Sequence, residues 1–342
     1  MLSGKSLKEE FLQIKGKTIA IVYIFEGDNS SGFEHFFIWK SDIISLWLKA
    51  IQELNCFPLI LDVRTFVDKA MNNTLPCIDY VLNLNSGTYN LSTMALIPSV
   101  CSSIGVPCIP CDSTTIVTGE NKKLSNFIAN AIGINVPKTL EKNVPNGIFR
   151  PINLGNSLGV VRNFNDQCEG IYQEFVEGYD ITTPVVYNSI TKRMDLLPTV
   201  MYLPNTKDLT WYNGEVQKLT REGYKFKIVE LDDAIKQKYL ELVNDLSIKT
   251  FCRIDSRVHS QDNSFYFLEE NIIVEFKNTF FIEINVMPTI REFNNFVFSF
   301  NSIEKSNSIY KHIEMQKEVF GSVNLNSFLL SSSMMNLKPC TK

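Results

Sequence analysis

The sequence predicts an α/β protein that begins with an open, mostly parallel sheet and continues with strand-rich segments. Before residue 110, apolar runs of strand length alternate with helical patterns, as in βαβ units. After residue 146, predicted strands follow one another with few helices between them. With 342 residues, 44% hydrophobic and 20% charged, the chain is long enough for two or three packed domains.

The first part has four predicted strands with helices between them. The strands cover residues 17–24, 57–61, 80–84 and 106–109. A helix over residues 41–54 has an apolar stripe that includes Trp47 and Ile51, and a second helix is expected near residues 91–103. Because helices join consecutive strands, the sheet should be covered on both faces. The loop 27–32 lies where such sheets bind ligands, but it lacks the G-x-G-x-x-G spacing of a phosphate loop.

The later part begins near Gly119, where the pattern changes. Residues 121–132 are predicted to form a helix that ends at Gly133 and turns its apolar residues inward, namely Leu124, Phe127, Ile128 and Ala131. Strands are predicted at residues 147–151, 160–162, 171–176, 182–187 and 194–202. A polar stretch at 205–225 and a helix at 232–246 follow, and we expect the serine- and asparagine-rich end from Ser322 to be loosely ordered at its tip.

Composition excludes several classes of partner. The net charge is -4 and the pI about 5.6, and lysines are interspersed with acids, so we expect neither nucleic acid nor an anionic membrane to bind. No apolar stretch approaches the ~20 residues that span a bilayer, and the first residues lack the apolar core of a secretion signal. We therefore expect a cytoplasmic protein.

Cysteine and histidine usage argues against several kinds of metal or nucleophile chemistry. Eight cysteines are too few for a disulfide scaffold in a chain of 342 residues. Cys108 and Cys111 have the spacing of a redox or zinc pair, but buried thiols beside a short strand are the favoured alternative, since no second pair lies nearby. The chain has only three histidines, so carboxylates should carry the chemistry.

Asp255, Glu283 and Asn285 are the candidate metal ligands. Glu283 and Asn285 are two residues apart on a predicted strand, so their side chains project from the same face. Magnesium accepts one or two protein carboxylates and completes its coordination with water and phosphate oxygens. A hairpin whose polar residues simply face water is the alternative. Glu269 and Asn271 form a second E-x-N pair, which we disfavour because no Val-Met-Pro sequence follows it.

Four motifs occur in the order found in one family. They are Arg253-Ile-Asp255, Glu283-Ile-Asn285-Val-Met-Pro288, the loop Arg150-Pro-Ile-Asn-Leu-Gly-Asn-Ser-Leu-Gly159 and Gln173-Glu-Phe-Val-Glu-Gly-Tyr-Asp180. Together they resemble the ATP-grasp superfamily, most closely its D-alanyl-D-alanine ligase branch, over residues 17–300. The glycine-containing loop would then be a flap over phosphates, although a plain hairpin turn is an alternative for the loop alone.

The resemblance implies an N-terminal open parallel-sheet domain followed by two α+β lobes that clasp ATP. We place the first domain at residues 1–115, the central lobe at 116–180, the C-terminal lobe with the metal site at 181–325, and a tail at 326–342. The family also suggests a homodimer formed through the first domain.

The resemblance further implies a role for each matching residue. Lys122 and Arg150 would contact phosphates, Ser157 would be the hydroxyl of the flap, and Lys218 would be a further phosphate or substrate lysine. The nucleoside would meet Gln173, Glu174 and Val176 at the adenine and Asp180 at the ribose.

The chemistry implied by the resemblance is the activation of a small-molecule carboxylate as an acyl phosphate, which an amine then attacks with release of ADP and phosphate. Arg253 would stabilise the oxyanion and Glu34 would hold the ammonium group of the first amino acid, although a surface glutamate without this role is the alternative for Glu34. Asp255, Glu283 and Asn285 would hold two magnesium ions, for which manganese can substitute.

Departures from the family all concern substrate recognition. The family's histidine-glycine motif is replaced by Asn83-Leu-Asn-Ser-Gly87, a glycine by Thr289, and a hydroxyl-bearing segment by Ile290-Arg-Glu-Phe-Asn294. Arg291 could meet a substrate carboxylate or pair with Glu292. We therefore do not expect strict D-alanyl-D-alanine synthesis. A rival hypothesis is an ATP-binding protein without catalysis that acts as a sensor or assembly partner, and a third is a related ligase that forms an ester or uses a carrier-bound acid.

Overall fold

The computed structural model describes residues 6–25, 39–87, 91–141, 146–154, 157–162, 169–206, 208–214, 222–259, 273–274, 279–285 and 295–337. These residues form one parallel sheet followed by two sheets in which antiparallel pairing predominates. The fold class that the sequence predicts is confirmed.

The first sheet has four parallel strands in the order β2-β1-β3-β4. The strands are β1 (Thr18–Tyr23), β2 (Phe57–Asp62), β3 (Tyr80–Asn83) and β4 (Cys108–Ile109). The helices in this part of the chain are α1 (Leu7–Leu12), α2 (Ser41–Glu53), α3 (Val63–Met71), α4 (Leu91–Met94), α5 (Leu96–Ile104) and α6 (Ser113–Glu120), of which α6 packs against the later helix Lys122–Ala131 and the strand Thr279–Asn285. Helices α3 and α6, which the sequence analysis did not predict, are capped by the carboxylates of Asp62 and Asp112.

Helix α2 buries the apolar stripe that the sequence predicts. Trp47 and Ile51 are within 1% of full burial and pack in a core with Ile19 and Ile21 of β1. The last helices of the chain contribute to the same core.

The second part begins with helix α7 (Lys122–Ala131) and an antiparallel pair, β5 (Gly147–Pro151) and β6 (Gly170–Glu174). The prediction that Leu124, Phe127, Ile128 and Ala131 face inward is wrong for Leu124, Phe127 and Ala131, whereas Ile128 is partly buried and packs against a hydrophobic core. Leu124 is 41% and Phe127 71% exposed, whereas the buried residues of α7 are Lys122, Ser125, Asn126 and Ala129. The polar face is turned inward because it lies against β13, at the candidate site.

The third sheet is built around two long neighbouring strands, β7 and β11. Its order is β12-β10-β9-β7-β11-β13, and β8 pairs with β7. The strands are β7 (Gly178–Asn188), β8 (Arg193–Leu196), β9 (Thr199–Pro204), β10 (Tyr224–Leu231), β11 (Phe251–His259), β12 (Ile273–Val274) and β13 (Thr279–Asn285). Helix α8 (Asp233–Asp245) packs with one face of this sheet, burying Ile235, Tyr239 and Leu242.

The chain ends in three helices, α9 (Asn295–Asn301), α10 (Ser308–Phe320) and α11 (Leu325–Asn336). The tail predicted over 326–342 is instead helical as far as Asn336, since α11 is buried along its length, and the tip predicted to be loosely ordered lies outside the described residues. Phe328, Leu329 and Leu330 lie in the core of the first sheet. Serines tolerate this burial because they bond to the helix backbone: Ser333 donates to the Leu329 carbonyl at 2.7 Å.

The environment of Cys108 and Cys111 and the length of the helices can be compared with what the composition predicts. Cys108 lies on β4 and Cys111 is buried, and burial raises the pKa of both thiols well above the usual value. This environment favours the buried-thiol interpretation of the pair. Throughout the part of the chain that the structure describes, each helix is too short or too polar to cross a bilayer.

Candidate active site

Strand β11 carries the candidate site on one face and the core on the other. Cys252, Ile254 and Val258 point into the core shared with α8. Because side chains alternate along a strand, Arg253 and Asp255 project from the opposite face. The motif R-x-D thus presents a cation and a carboxylate side by side.

Asp255 has a neighbour in the adjacent strand on each side. It is paired in register with Glu283 of β13 and with Thr182 of β7. The Thr182 hydroxyl donates to Asp255 Oδ1 at 2.6 Å. Side chains directly opposite in an antiparallel pair lie on the same face with Cβ atoms ~5 Å apart. The two predicted metal-binding carboxylates are therefore brought together, and each is about a quarter exposed, at 23% for Asp255 and 25% for Glu283.

Arg253 holds Asp255 through two hydrogen bonds. Its Nε donates to Oδ1 at 2.8 Å and its Nη2 donates to Oδ2 at 2.6 Å, a bidentate ion pair. Tyr202 lies near this pair, and burial raises the pKa of its hydroxyl, so that it stays neutral. Asn295, at the start of α9, donates to Tyr202 Oη at 2.6 Å.

Two buried cations converge on Glu283. Arg150 Nη2 donates to Glu283 Oε2 at 2.8 Å, and Arg150 Nη1 donates to the Ile282 carbonyl at 2.9 Å. Lys122 Nζ lies 3.7 Å from the same Glu283 oxygen and donates to the Leu154 carbonyl at 2.8 Å. The side chains of Lys122 and Arg150 are only 7% and 6% exposed. Helix α7, strand β5 and strand β13 thus meet at one carboxylate.

Asn126 and Gln173 complete the polar layer beneath these charges. Asn126 Nδ2 donates to the carbonyls of Lys122 at 2.6 Å and Ile282 at 3.3 Å. Gln173 Nε2 donates to Asn126 Oδ1 at 3.3 Å and to the Pro137 carbonyl at 3.1 Å, while its Oε1 accepts from Arg150. The predicted adenine-binding side chain of Gln173 is therefore hydrogen-bonded within the protein.

The motif 173–180, called the hinge from here on, has three further predicted nucleoside-binding residues, which lie beside the charged face. The Glu174 carboxylate accepts from the Lys138 amide at 3.0 Å. The carbonyl of buried Val176 accepts from Arg257 at 2.7 Å. Asp180 Oδ1 also accepts from Arg257, at 2.6 Å, and its Oδ2 accepts from the Asn213 amide at 2.7 Å. Asp180 is two positions before Thr182 on β7 and shares its face.

Ser157, at the predicted flap, reaches the same area. Its φ of 60° is in the left-handed region, and its hydroxyl donates to the Asn213 carbonyl at 3.3 Å. Arg162, which follows the flap, lies over the Phe175 ring with Cζ 4.0 Å from the centroid. The loop between β5 and β6 is thus in contact with the hinge and with residues 208–214.

Several predicted residues lie outside the described part of the chain. Glu34, Lys218, Glu269, Asn271, Thr289 and Arg291 are among them, and the side chain of Asn285 is also not described. The roles given to all site residues stay predictions. Among the described residues, no group of three or more His, Cys, Asp or Glu is arranged to hold a metal.

Sequence reasoning missed three residues of the site: Asn126, Thr182 and Arg257. Arg257 had a signal, because it follows Arg253 and Asp255 at two-residue intervals on the same strand face. Thr182 and Asn126 become visible only through the pairing of β7 with β11 and the packing of α7 on β13.

The segment that replaces the family's histidine-glycine motif has its own hydrogen bonds. Asn83, the last residue of β3, and Asn85, which follows the strand, are both buried. Asn85 Nδ2 donates to the Thr93 carbonyl at 2.6 Å, and Trp39 Nε1 donates to Ser86 Oγ at 2.8 Å. These contacts fix the loop that follows the carboxyl end of β3.

Comparisons with known proteins identify the fold. The chain is 25% identical over 194 residues to a D-alanine–D-alanine ligase of Aquifex aeolicus (strain VF5); the match covers 50% of this chain and 64% of that protein. D-alanyl-alanine synthetase A from Vibrio cholerae is similar over 90% of this chain and 99% of that chain, with a TM-score of 0.60 and 14% identity. No protein-family model matches the sequence.

Two further solved structures are similar in fold to this chain. The D-alanine–D-alanine ligase from Bacillus anthracis, complexed with ATP, has a TM-score of 0.56 at 14% identity and covers 90% of this chain and 99% of its own. The VanG D-Ala:D-Ser ligase from Enterococcus faecalis has a TM-score of 0.57 at 13% identity, covering 88% and 100% respectively. The chain therefore has the ATP-grasp fold of the D-alanine–D-alanine ligases, and the resemblance stated from its motifs is confirmed at the level of fold.

Proposed function

We propose that the protein is an ATP-dependent carboxylate–amine ligase that activates the carboxylate of an amino acid and joins it to an amine. The observation that carries this proposal is the meeting of Lys122, Arg150 and Glu283 beside Asp255 on one polar sheet face. Burying charged side chains costs desolvation free energy unless other charges or hydrogen bonds compensate it. Such a cluster therefore calls for a ligand or a specific structural need.

The charge balance of the cluster suits a polyphosphate. The contacts above join three cations, Lys122, Arg150 and Arg253, to two carboxylates, Asp255 and Glu283. Among the described residues of the cluster, positive charge is therefore in excess, and the negative phosphates of a nucleotide would compensate it. Lys122 and Arg150 would turn toward phosphate oxygens when Glu283 turns toward the metal.

The donor set fits magnesium. Two carboxylates on one face, both partly open to solvent, match an ion that keeps phosphate and water ligands. When bound, the ion would withdraw charge from the transferring phosphate. Thr182 would hold the Asp255 carboxylate in place, and Arg253, which already lies beside Asp255, would stabilise the oxyanion formed when the amine attacks.

The substrates are proposed only by chemical class. The named relatives join D-alanine to D-alanine or D-serine. In this chain, the buried pair Asn83 and Asn85 stands where that branch has a histidine-glycine motif. Neutral amides replace a group that can carry charge, so we propose an amino acid substrate other than two D-alanines.

A substrate screen tests the proposal. Purified protein is incubated with ATP, magnesium and single or paired amino acids of both stereochemical series, and ADP formation and product mass are recorded. We expect ADP formation that depends on both an acid and an amine, with a product whose mass is their sum less one water. A panel in which no carboxylate stimulates ADP release, despite measurable ATP binding, would contradict the ligase proposal.

A second candidate function is nucleotide binding without catalysis. It is favoured by Arg150, which stands where the family has a lysine and donates to Gln173, Ile282 and Glu283 within the protein. An arginine forks to several acceptors and is harder to redirect to a phosphate than a lysine. The Arg150→Lys variant separates the two candidates: faster turnover would indicate weakened catalysis in the parent, whereas tight binding without turnover in both proteins would indicate a sensor or assembly partner.

A further inference from the structure

Arg257, which has no role in the proposed chemistry, makes an unusually large number of hydrogen bonds. It lies on β11 and is 4% exposed. Its Nε donates to the Val176 carbonyl at 2.7 Å and its Nη1 donates to Asp180 at 2.6 Å. Its Nη2 donates to three further carbonyls, at 2.9 Å for Gly178, 3.3 Å for Leu209 and 3.0 Å for Trp211. One guanidinium therefore bonds five oxygens.

These five oxygens belong to two separate segments of the chain. Val176 lies between β6 and β7, and Gly178 and Asp180 lie at the start of β7, whereas Leu209 and Trp211 belong to the segment 208–214. Backbone bonds join the same segments: the Gly178 amide donates to the Leu209 carbonyl at 2.9 Å. The flap is linked to the segment 208–214 as well, because the Ser157 hydroxyl donates to the Asn213 carbonyl. Arg257 thus lies where the hinge, the segment 208–214 and the third sheet meet.

The arrangement leaves Asp180 able to bind a ligand. Its side chain is 21% exposed, with one oxygen bonded to Arg257 and the other to the Asn213 amide. Each carboxylate oxygen can accept a second hydrogen bond. Arg257 also lies 5.0 Å from the centroid of the buried Phe175 ring, which contacts Arg162 at 4.0 Å and Tyr212 edge-on. A fixed carboxylate that can still accept hydrogen bonds is suited to bind the sugar hydroxyls of a nucleoside.

We propose that Arg257 is a positioning residue for nucleoside recognition, which fixes the Asp180 carboxylate and ties the segment 208–214 to the hinge. The inference rests on the proposed ATP-binding function and adds to it a residue that does not itself touch the phosphates or metal. Lysine could not replace arginine here, because an ammonium has three donors on a flexible stem and cannot reach five oxygens in two directions.

Equilibrium binding of ATP and 2′-deoxyATP, measured by calorimetry without any acid substrate, tests the inference. In the parent protein we expect ATP to bind about tenfold or more tightly than 2′-deoxyATP, since a hydroxyl bonded to a carboxylate contributes a charge-assisted hydrogen bond. In Arg257→Met, ATP should bind about 10- to 100-fold more weakly, and the preference for ATP over 2′-deoxyATP should fall to about one. Arg257→Lys should lie between the two proteins.

Arg193→Met is the matched control, because Arg193 is exposed on strand β8 of the same sheet. It should keep the affinity and preference of the parent. A folded Arg257→Met protein with an unchanged preference for ATP over 2′-deoxyATP would overturn the inference. If the methionine variant does not fold, an unchanged preference in Arg257→Lys would overturn it instead. A parent protein that binds neither nucleotide would instead overturn the proposed function.

A second measurement does not need nucleotide. Amide hydrogen exchange of Gly178 and Asn213 reports the bonds that hold the segment 208–214 to the hinge. In Arg257→Lys, these amides should exchange at least about tenfold faster than in the parent, while amides of α2 are unchanged. Unchanged exchange at both amides would contradict the tie between the two segments.

Discussion

Helices α2 and α7 bury opposite kinds of side chain. Helix α2 places Ile43, Trp47 and Ile51 in the core of the first sheet. Helix α7 buries Lys122 and Asn126 and leaves its largest apolar side chains exposed. Burial on α2 serves packing, whereas burial on α7 serves the charged site, where each of the two polar residues is hydrogen-bonded. An inverted amphipathic helix can therefore indicate a functional face.

The helices at the end of the chain show that polar burial alone does not define a site. His312 of α10 is fully buried and hydrogen-bonds with Ser189 and, at 3.1 Å, with Ser331. Phe11 and Phe328 contact its ring edge-on. This network is enclosed by the core, whereas Asp255 and Glu283 are partly open to solvent. Access, rather than polarity, distinguishes the two regions.

The largest expected effect is on stability at α2. Trp47→Ala removes a side chain that is 1% exposed, so the free energy of unfolding should fall by about 3–5 kcal/mol through lost burial and a cavity. Urea denaturation measures this change. A loss below ~1 kcal/mol would mean that α2 is not the packing helix described here.

Lys122→Met tests whether α7, unlike α2, contributes to the candidate site. The buried lysine is replaced by an apolar side chain of similar length, so ATP should bind about 10- to 100-fold more weakly, as expected for a lost charge-assisted hydrogen bond to a phosphate. Lys123→Met is the control, because Lys123 is the next residue on α7 and is exposed. Equal ATP affinity in the two variants, measured by calorimetry, would remove α7 from the site.

The third prediction concerns pH and the enclosed network. Burial lowers the pKa of His312 to about 3, from an ordinary value of 6.5. Between these values the unfolded chain binds a proton that the folded protein does not, so the free energy of unfolding should decrease as pH falls below about 6.5. This residue contributes at most about 1.4 kcal/mol per pH unit.

His312→Gln tests the pH prediction, since glutamine keeps a hydrogen-bonding side chain that does not titrate. Urea denaturation at pH values from about 7 to about 5 should show a shallower loss of stability in the variant than in the parent. The same slope in both proteins would show that His312 does not carry the effect.

The smallest effect is expected at Phe127. This side chain is 71% exposed on α7, and Phe127→Ser should change the free energy of unfolding by no more than about 0.5 kcal/mol. Measured beside Trp47→Ala, it compares an exposed with a buried aromatic residue on the two helices. A loss near that of Trp47→Ala would mean that the outer face of α7 is covered in solution.

The parts of the fold predicted correctly are those in which local pattern and packing agree. Strands β1 and β3 are mostly apolar because the parallel sheet is buried, and α2 has an apolar stripe at helical spacing. Asp255 and Glu283 were singled out from their motifs, and the register of β11 and β13 does place them opposite each other.

The parts missed are those in which tertiary contacts override local pattern. Serine is a poor helix signal, so α11 was expected to be a tail, although its Phe328, Leu329 and Leu330 stabilise it by burial in a distant core. The face of α7 was inverted because its polar residues bond to β13, far along the chain. Strand β10 was missed for a similar reason: alternating Lys225 and Lys227 obscure a strand that pairs with β9.

The most direct test of the account is the effect of magnesium on ATP affinity. Calorimetry is performed with and without magnesium on the parent, on Glu283→Gln, and on Glu241→Gln, whose parent residue is exposed on α8. If Asp255 and Glu283 share an ion with the phosphates, magnesium should tighten ATP binding about tenfold or more in the parent and the control, but less than about threefold in Glu283→Gln. An equal gain in all three proteins would contradict a metal–nucleotide site between helix α7 and strands β11 and β13.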